Sequence, residues 1–417
     1  MKSNRRVFLG QLGLGLAAIE ATGQTIKPSN ITSEETFWDN VRKGFPLTDN
    51  RVYLNNGTFG PSPSTVLDAI KTSLDKTNTS GEYGHTDKYR KVLAEFVGVS
   101  EEEISLTHNT TEGINIVCWG LDLKEDDEVI ISLHEHVGNA LPWLNRAKLH
   151  GIKLKTFEPA ATADETLERI KNLVSSKTKV ITVPHISCTL GQVYPVKEIA
   201  DFARPKGIFT AIDGAHGTGT FDINYKELGC DSYATSCHKW MLGPNGSGFL
   251  YLKKEHLDRI QAIQVGAYSD NGWDLYSTPP SFPAYNPTAH RYDYGSQSTP
   301  LYAGAAASAE YHMALGKNKV EKRVRELSQY LYAGLEELNG YLDILTPKEP
   351  ESRICMVTFK PKNLEYREFS KKASKAGFRI RVVPESKLDA IRISTHIYNS
   401  KTQLDDFLKF TKEALTT

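Results

Sequence analysis

Cysteine is scarce in this chain: five in 417 residues, at Cys118, Cys188, Cys230, Cys237 and Cys355, none in metal-type paired spacing. That odd, scattered set gives no ground for a disulfide framework or a zinc site. An excess of charge of one sign is also missing, since 50 Lys and Arg against 50 Asp and Glu leave no net charge. Nothing electrostatic therefore favours nucleic acid or an anionic membrane as partner. No apolar run reaches the roughly 20 residues that a bilayer-spanning helix needs. Internal repeats and low-complexity tracts are absent, and no G-x-G-x-x-G follows the first candidate strand, which counts against a dinucleotide-binding site. What remains is an ordinary globular composition, 39% hydrophobic and 24% charged, long enough for two to three units around a small-molecule site.

The first residues differ from the rest. Asn4-Arg5-Arg6-Val7-Phe8-Leu9-Gly10 sets paired arginines ahead of a short, mildly apolar run from Gln11 to Ile19, with small residues Ala21-Thr22-Gly23 before Gln24. This pattern reads as a removable export signal and resembles the twin-arginine type, whose route carries folded proteins. The expectation is a signal over 1–23, an arm or linker over 24–50, and a periplasmic mature chain without a membrane anchor.

From about residue 100 onward, β-rich apolar runs alternate with helical ones. Candidate strands are 104–107, 128–133, 154–157, 179–184, 208–212, 232–235 and 248–252, with helices near 112–120, 140–150, 165–174 and 196–203 between them. Such alternation predicts an α/β fold: a large, mostly parallel sheet covered on both faces, with ligands at the strand C-termini. Long helices then lead into a smaller C-terminal α+β region, giving expected domains of 51–300 and 301–417. Ser400-Lys401-Thr402-Gln403 reads as a capping box for its last helix.

Two residues stand at successive strand ends. Asp213 closes the run Ile208-Phe209-Thr210-Ala211-Ile212, and Lys239 follows Ser236-Cys237-His238 before the glycine-rich Gly243–Gly248. Singly, either is an ordinary surface side chain or helix cap. Jointly they suit pyridoxal phosphate, which needs a lysine to hold its aldehyde and an acid to keep its pyridine nitrogen protonated. A phosphate would find hydroxyls and backbone N–H groups at His108-Asn109-Thr110-Thr111-Glu112-Gly113, where a helix begins. Leu133-His134-Glu135-His136 offers an imidazole to stack on a flat ring, and without a third ligand nearby it does not suggest a metal.

The successive blocks NNGTFGPSP, NTTEGIN, HEHVGNALPW, PHISCTLGQVYPV, IDGAHGTG, SCHKW with GPNGSGF, RYDYGSQSTP and RISTHIYN resemble those of class V aminotransferase-fold, pyridoxal-phosphate enzymes. Their wording, with His216 after the aspartate, is similar to the isopenicillin N epimerase-like branch. The resemblance implies the aspartate aminotransferase-like fold (fold type I) and a homodimer with shared active sites. It casts Lys239 as cofactor anchor and as the acid/base that moves the substrate α-proton, and Asp213 as partner of the pyridine nitrogen. His136 would stack on the ring and His216 contact its hydroxyl. Thr110, Thr111, Ser236 and His238 would surround the phosphate, joined by Ser296 of the neighbouring subunit. Arg392, with Asn56 as a weaker candidate, would grip the carboxylate of an amino-acid substrate.

Two departures from the family's desulfurases bear on the reaction. Cys188 stands where they carry an asparagine, and FRIRVVPESKLDAIR (Phe378 to Arg392) holds no thiol where their persulfide-forming cysteine would lie. The resulting expectation is an exported aminotransferase, epimerase or lyase, and not a cysteine desulfurase, with Tyr83, His85 and Tyr294 as candidates for a second proton donor. The alternative is a ligand- or partner-binding protein that has lost catalysis on the same fold.

Overall fold

The computed structural model describes residues 33–416, so the expected signal and the first part of the expected arm lie outside the described residues. The chain divides into two compact units, Met1–Asn40 and Val41–Thr417. Of the first, the described part is the start of the helix Ser33–Lys43. The second holds all the strands among the described residues.

A two-residue strand, β1 (Val52–Tyr53), precedes a seven-stranded sheet built from β2 (Ile104–Thr107), β3 (Glu128–Ser132), β4 (Lys153–Phe157), β5 (Thr178–Pro184), β6 (Phe209–Asp213), β7 (Ser232–Ser236) and β8 (Gly248–Leu252) in the order β2-β8-β7-β6-β5-β3-β4. Pairing is parallel from β4 through β7, and β8 runs antiparallel to both β7 and β2. The mostly parallel sheet expected from the alternation is therefore present.

Its strands read as continuous apolar runs because both faces are covered. Alternate residues go to opposite sides: Ile130, Ile181, Ile212 and Tyr233 join one core, while Val129, Val180, Ala211 and Ala234 join the other. A smaller C-terminal sheet follows, with β9 (Leu342–Ile344), β10 (Met356–Pro361), β12 (Arg381–Val383) and β13 (Ala390–Ser394) antiparallel in the order β12-β13-β10-β9, while β11 (Phe378–Arg379) pairs with β1. Helices Lys317–Glu336 and Lys401–Thr416 pack against it through Leu327, Leu331, Leu335, Leu404 and Phe407. The capping box at the last helix is formed, Ser400 Oγ accepting from Gln403 N at 3.3 Å and Gln403 Oε1 from Ser400 N at 3.3 Å.

One buried ion pair fastens the loop before helix Thr299–Leu315 to the first strand of the large sheet. Asp293, 1% exposed, accepts from Arg90 Nη2 at 2.8 Å, Ser105 Oγ at 2.8 Å and Leu106 N at 2.9 Å. Removing one partner of such a pair leaves an uncompensated buried charge. Asp293→Ala is expected to lower unfolding stability by about 3–5 kcal/mol, measured by urea denaturation; a loss below about 1 kcal/mol, the size of an exposed pair, would show that water replaces the carboxylate.

Candidate active site

The site begins where β6 and β7 end. Asp213, the last residue of β6, is buried and fixed by Ala215 N, which donates to Oδ1 at 2.9 Å. Ser236, the last residue of β7, accepts from Thr110 N at 2.8 Å and shares a hydrogen bond with Thr110 Oγ1 at 2.8 Å. This draws the strand end onto the start of helix Thr110–Gly120, whose N-cap Asn109 accepts from Glu112 N at 3.0 Å. Thr110, Thr111, Ser236 and His238 thus face one helix N-terminus, where unpaired N–H groups and the macrodipole favour an anion.

His136 caps helix Val137–His150, its Nδ1 accepting from Gly138 N at 3.0 Å. A Cβ at Gly138 would lie 2.5 Å from Thr111 Oγ1, so only glycine lets the two helix starts come this close. Burial, then the neighbouring Lys239 charge, holds the His136 imidazole below its ordinary range, and the same two causes bring His238 down to about 4. The His238 ring is therefore neutral at pH 7.

Lys239 follows β7 and is pinned through its backbone. Gly60 N donates to the His238 carbonyl at 2.7 Å, and a Cβ at Gly60 would sit 1.9 Å from the Lys239 carbonyl oxygen. Its amine lies 3.3 Å from His216 Nε2, and His216 Nδ1 accepts from Trp240 Nε1 at 2.9 Å. Desolvation lowers the Lys239 pKa, opposed by Asp213 and Cys188 and assisted by Arg392 and Arg381.

Across the cleft, Arg392 occupies the middle of β13, 1% exposed. Its Nη1 donates to the Cys188 carbonyl and its Nη2 to Thr58 Oγ1 at 3.3 Å, while its Nε is buried without a partner. Burial, and secondarily Arg381, push its pKa down to about 10. Arg381 stands directly opposite Arg392 in the β12–β13 register and is paired with Glu385.

A cleft of about 340 Å³ brings together Thr110, Thr111, His136, Asp213, His216, Ser236, His238, Lys239 and Arg392. One residue expected beside them does not line the cleft: Asn56 is buried against the Tyr398 hydroxyl (3.0 Å) and the Lys239 carbonyl (3.5 Å). Ser296, expected from the neighbouring subunit, is exposed on the loop after Asp293. Of the suggested second donors, Tyr83 is 72% exposed, His85 is exposed, and Tyr294 lines a neighbouring cavity with His108 and Glu112.

Sequence reasoning missed Arg381. A guanidinium set directly opposite another on an antiparallel pair is an unfavourable placement, but that signal appears only once the register is known. Cys188 also lines the cleft, its thiol pushed up to about 11 by burial. Among the described residues no group of His, Cys, Asp or Glu could hold a metal ion.

The residues fit pyridoxal phosphate. The helix start with its hydroxyls suits a phosphate, and the buried His238 Nδ1, which has no protein partner, faces the same end. Asp213 and Lys239 stand where a protonated ring nitrogen and an aldehyde would need them, and the unpaired Arg392 Nε leaves an edge for a carboxylate.

Comparison with known proteins shows what the whole chain is similar to. A probable cysteine desulfurase of Halalkalibacterium halodurans is 30% identical over 401 residues, covering 88% of this chain and 96% of its own. An isopenicillin N epimerase of Amycolatopsis lactamdurans is 25% identical over 395 residues, covering 91% and 98%. The solved structure of the cystine C–S lyase C-DES with its reaction product cysteine persulfide matches with a TM-score of 0.81 at 26% identity, covering 88% of this chain and 98% of that one. Another C-DES structure, equally similar, has glycine covalently linked to its pyridoxal-phosphate cofactor.

These likenesses overturn the expectation that the chain is not a cysteine desulfurase. It rested on one thiol-free segment, Phe378 to Arg392, whereas a relative named as a probable desulfurase is similar over almost the whole chain, and the fold supplies a cleft thiol, Cys188, from a different segment. The epimerase likeness stands beside the desulfurase likeness. With residues 52–407 matching the family model described as Aminotransferase class-V, the chain belongs to the aminotransferase class-V family.

Proposed function

We propose that this protein is a pyridoxal-phosphate enzyme that breaks the C–S bond of a cysteine-type amino acid. One observation carries the reading: Lys239, Asp213 and Arg392 converge on a single cleft from two strand ends of the large sheet and the centre of the small one. The similarity to a probable cysteine desulfurase and to a cystine C–S lyase supports the choice of bond.

Pyridoxal phosphate supplies an electron sink that makes an α-proton removable. The chain's residues do the rest. Asp213, buried beside the cleft, would hold a proton on the ring nitrogen. Arg392 binds the substrate carboxylate through its Nε edge, fixing which Cα bond faces Lys239. Lys239 Nζ, its pKa lowered by burial, takes the α-proton. As the C–S bond breaks, sulfur departs with the electron pair, and the positive charge of Arg381 on the same wall stabilises it. His136, held by Gly138 N, would cover a face of the ring.

Supplied with pyridoxal phosphate, the full chain is expected to release sulfide from cysteine, or cysteine persulfide from cystine, with pyruvate and ammonia as the other products. Turnover with neither sulfur amino acid, alongside rapid transamination of another amino acid, would overturn the choice of bond. Arg392→Lys loses the planar two-donor edge and is expected to raise KM roughly 10–100-fold, the equivalent of about 1.5–3 kcal/mol of charge-assisted hydrogen bonding. A larger fall in kcat than rise in KM would place Arg392 on something other than the substrate carboxylate. Ser236→Ala and Thr110→Val are each expected to weaken cofactor retention by about 5–10-fold, near 1 kcal/mol per lost hydrogen bond, read by equilibrium titration with pyridoxal phosphate; unchanged affinity in both would move the phosphate away from this helix start.

A further inference from the structure

His216 is in contact with Trp240 on one side and Lys239 on the other, and its two neighbours fix its proton. The indole Nε1–H can only donate. It points at His216 Nδ1 from 2.9 Å, so that nitrogen must present a lone pair. An imidazolium, with N–H at both positions, would set donor against donor. The ring is therefore neutral, and its hydrogen sits on Nε2, 3.3 Å from the Lys239 amine.

That nitrogen can only donate in turn, so it requires a lone pair on Lys239 Nζ. An ammonium there would offer hydrogens to a hydrogen. We propose that Trp240 is a positioning residue that, through the tautomer of His216, holds Lys239 as the uncharged amine. The inference rests on Lys239 being the reacting amine, as proposed above.

Trp240 is itself locked. Its indole, 0% exposed, stacks on the His396 ring at 5.5 Å and 25°, and its carbonyl lies 2.9 Å from His396 Nε2. Ile397 N donates to His396 Nδ1 at 2.7 Å, which puts the hydrogen of His396 on Nε2 and lets it donate to that carbonyl. This contact fixes the Trp240 backbone from which the indole donates.

Other charged and titratable groups also act on Lys239. Asp213 and Cys188 favour the ammonium, Arg392 and Arg381 oppose it, and His136 and His238 lie close enough to be lowered by it. Burial drives His216 well below the ordinary histidine range, in keeping with a ring that stays neutral. The reaction is constrained in two ways. His216 cannot be the base, because its cleft-facing nitrogen already carries a proton. Once Lys239 has taken the substrate α-proton, the resulting ammonium faces a donor, which favours passing that proton on.

The first test is made on the full-length wild-type chain, loaded with pyridoxal phosphate and again after the cofactor is stripped. With ¹⁵N-labelled histidine, long-range proton–nitrogen correlation reads each ring's tautomer, and the His216 signals are those absent from His216→Gln. A bare Nδ1 and protonated Nε2 from pH 6 to 9 are expected; an Nδ1-protonated ring, or one that titrates near its ordinary range, overturns the proposal.

The second test uses Trp240→Phe, which keeps a buried ring and removes the donor. Covalent uptake of pyridoxal phosphate by the stripped chain needs the neutral amine, so its rate reports the charge of Lys239 without reference to any reaction. The pH profile is expected to move upward by about one unit, so that uptake near pH 7 slows about tenfold. Identical profiles in wild type and variant overturn the proposal even if activity falls. Neither readout depends on C–S cleavage, so failure of the tautomer relay and failure of the proposed reaction are separable.

Discussion

A lysine amine drawn into a cleft between two sheets is the constraint on which this structure turns. The fold surrounds Lys239 with the buried ends of β6 and β7, the Arg392 strand and two helix starts, all within one cavity of about 340 Å³. Desolvation is the leading cause of its lowered pKa, and desolvation requires that every other polar group in the cleft be paired or reserved for a ligand. Thr110 and Ser236 satisfy each other, His136 is held by a backbone N–H, and Asp213 is tied to Ala215 N. Among the atoms left unpaired are His238 Nδ1, Arg392 Nε and Arg381 Nη1, donors that a phosphate-bearing cofactor and an anionic substrate would use.

The small sheet contributes a cost that makes sense only with a ligand. Arg381 and Arg392 face one another across β12 and β13, a like-charge placement that destabilises a sheet in the absence of anions. Glu385 relieves it in part by pairing with Arg381. The turn that carries Glu385 is itself strained, with Ser386 and Lys387 at φ of 52° and 56°, a region that side chains other than glycine, asparagine and aspartate enter at some expense. Strain and like charge gathered beside one cleft are features of a binding surface.

The parts of this design visible in the sequence are those encoded locally. Apolar strands ending in Asp213 and Ser236, the Asn109-Thr110-Thr111 helix start and the Ser400 capping box depend on neighbours a few residues away, and their elements formed where the pattern placed them. The β8 reversal and the place of Arg381 were not visible, because pairing direction and register join residues far apart in the chain. Asn56 illustrates the same limit: its loop reads as part of the cleft wall, yet a hydrogen bond with Tyr398, from the far end of the sequence, turns it away. The exclusion of desulfurase chemistry failed for a related reason, since it weighed the thiols of one segment while the cleft draws its wall from many.

Borohydride reduction of the cofactor-loaded chain, followed by peptide mapping on a mass spectrometer, tests most directly whether this cleft is built around Lys239. A single pyridoxyl adduct is expected, on the peptide bearing Lys239, and it should be absent from Lys239→Ala treated in the same way. An adduct on a different lysine, or none in a chain shown to have bound the cofactor, would contradict the assignment of this cleft as the active site.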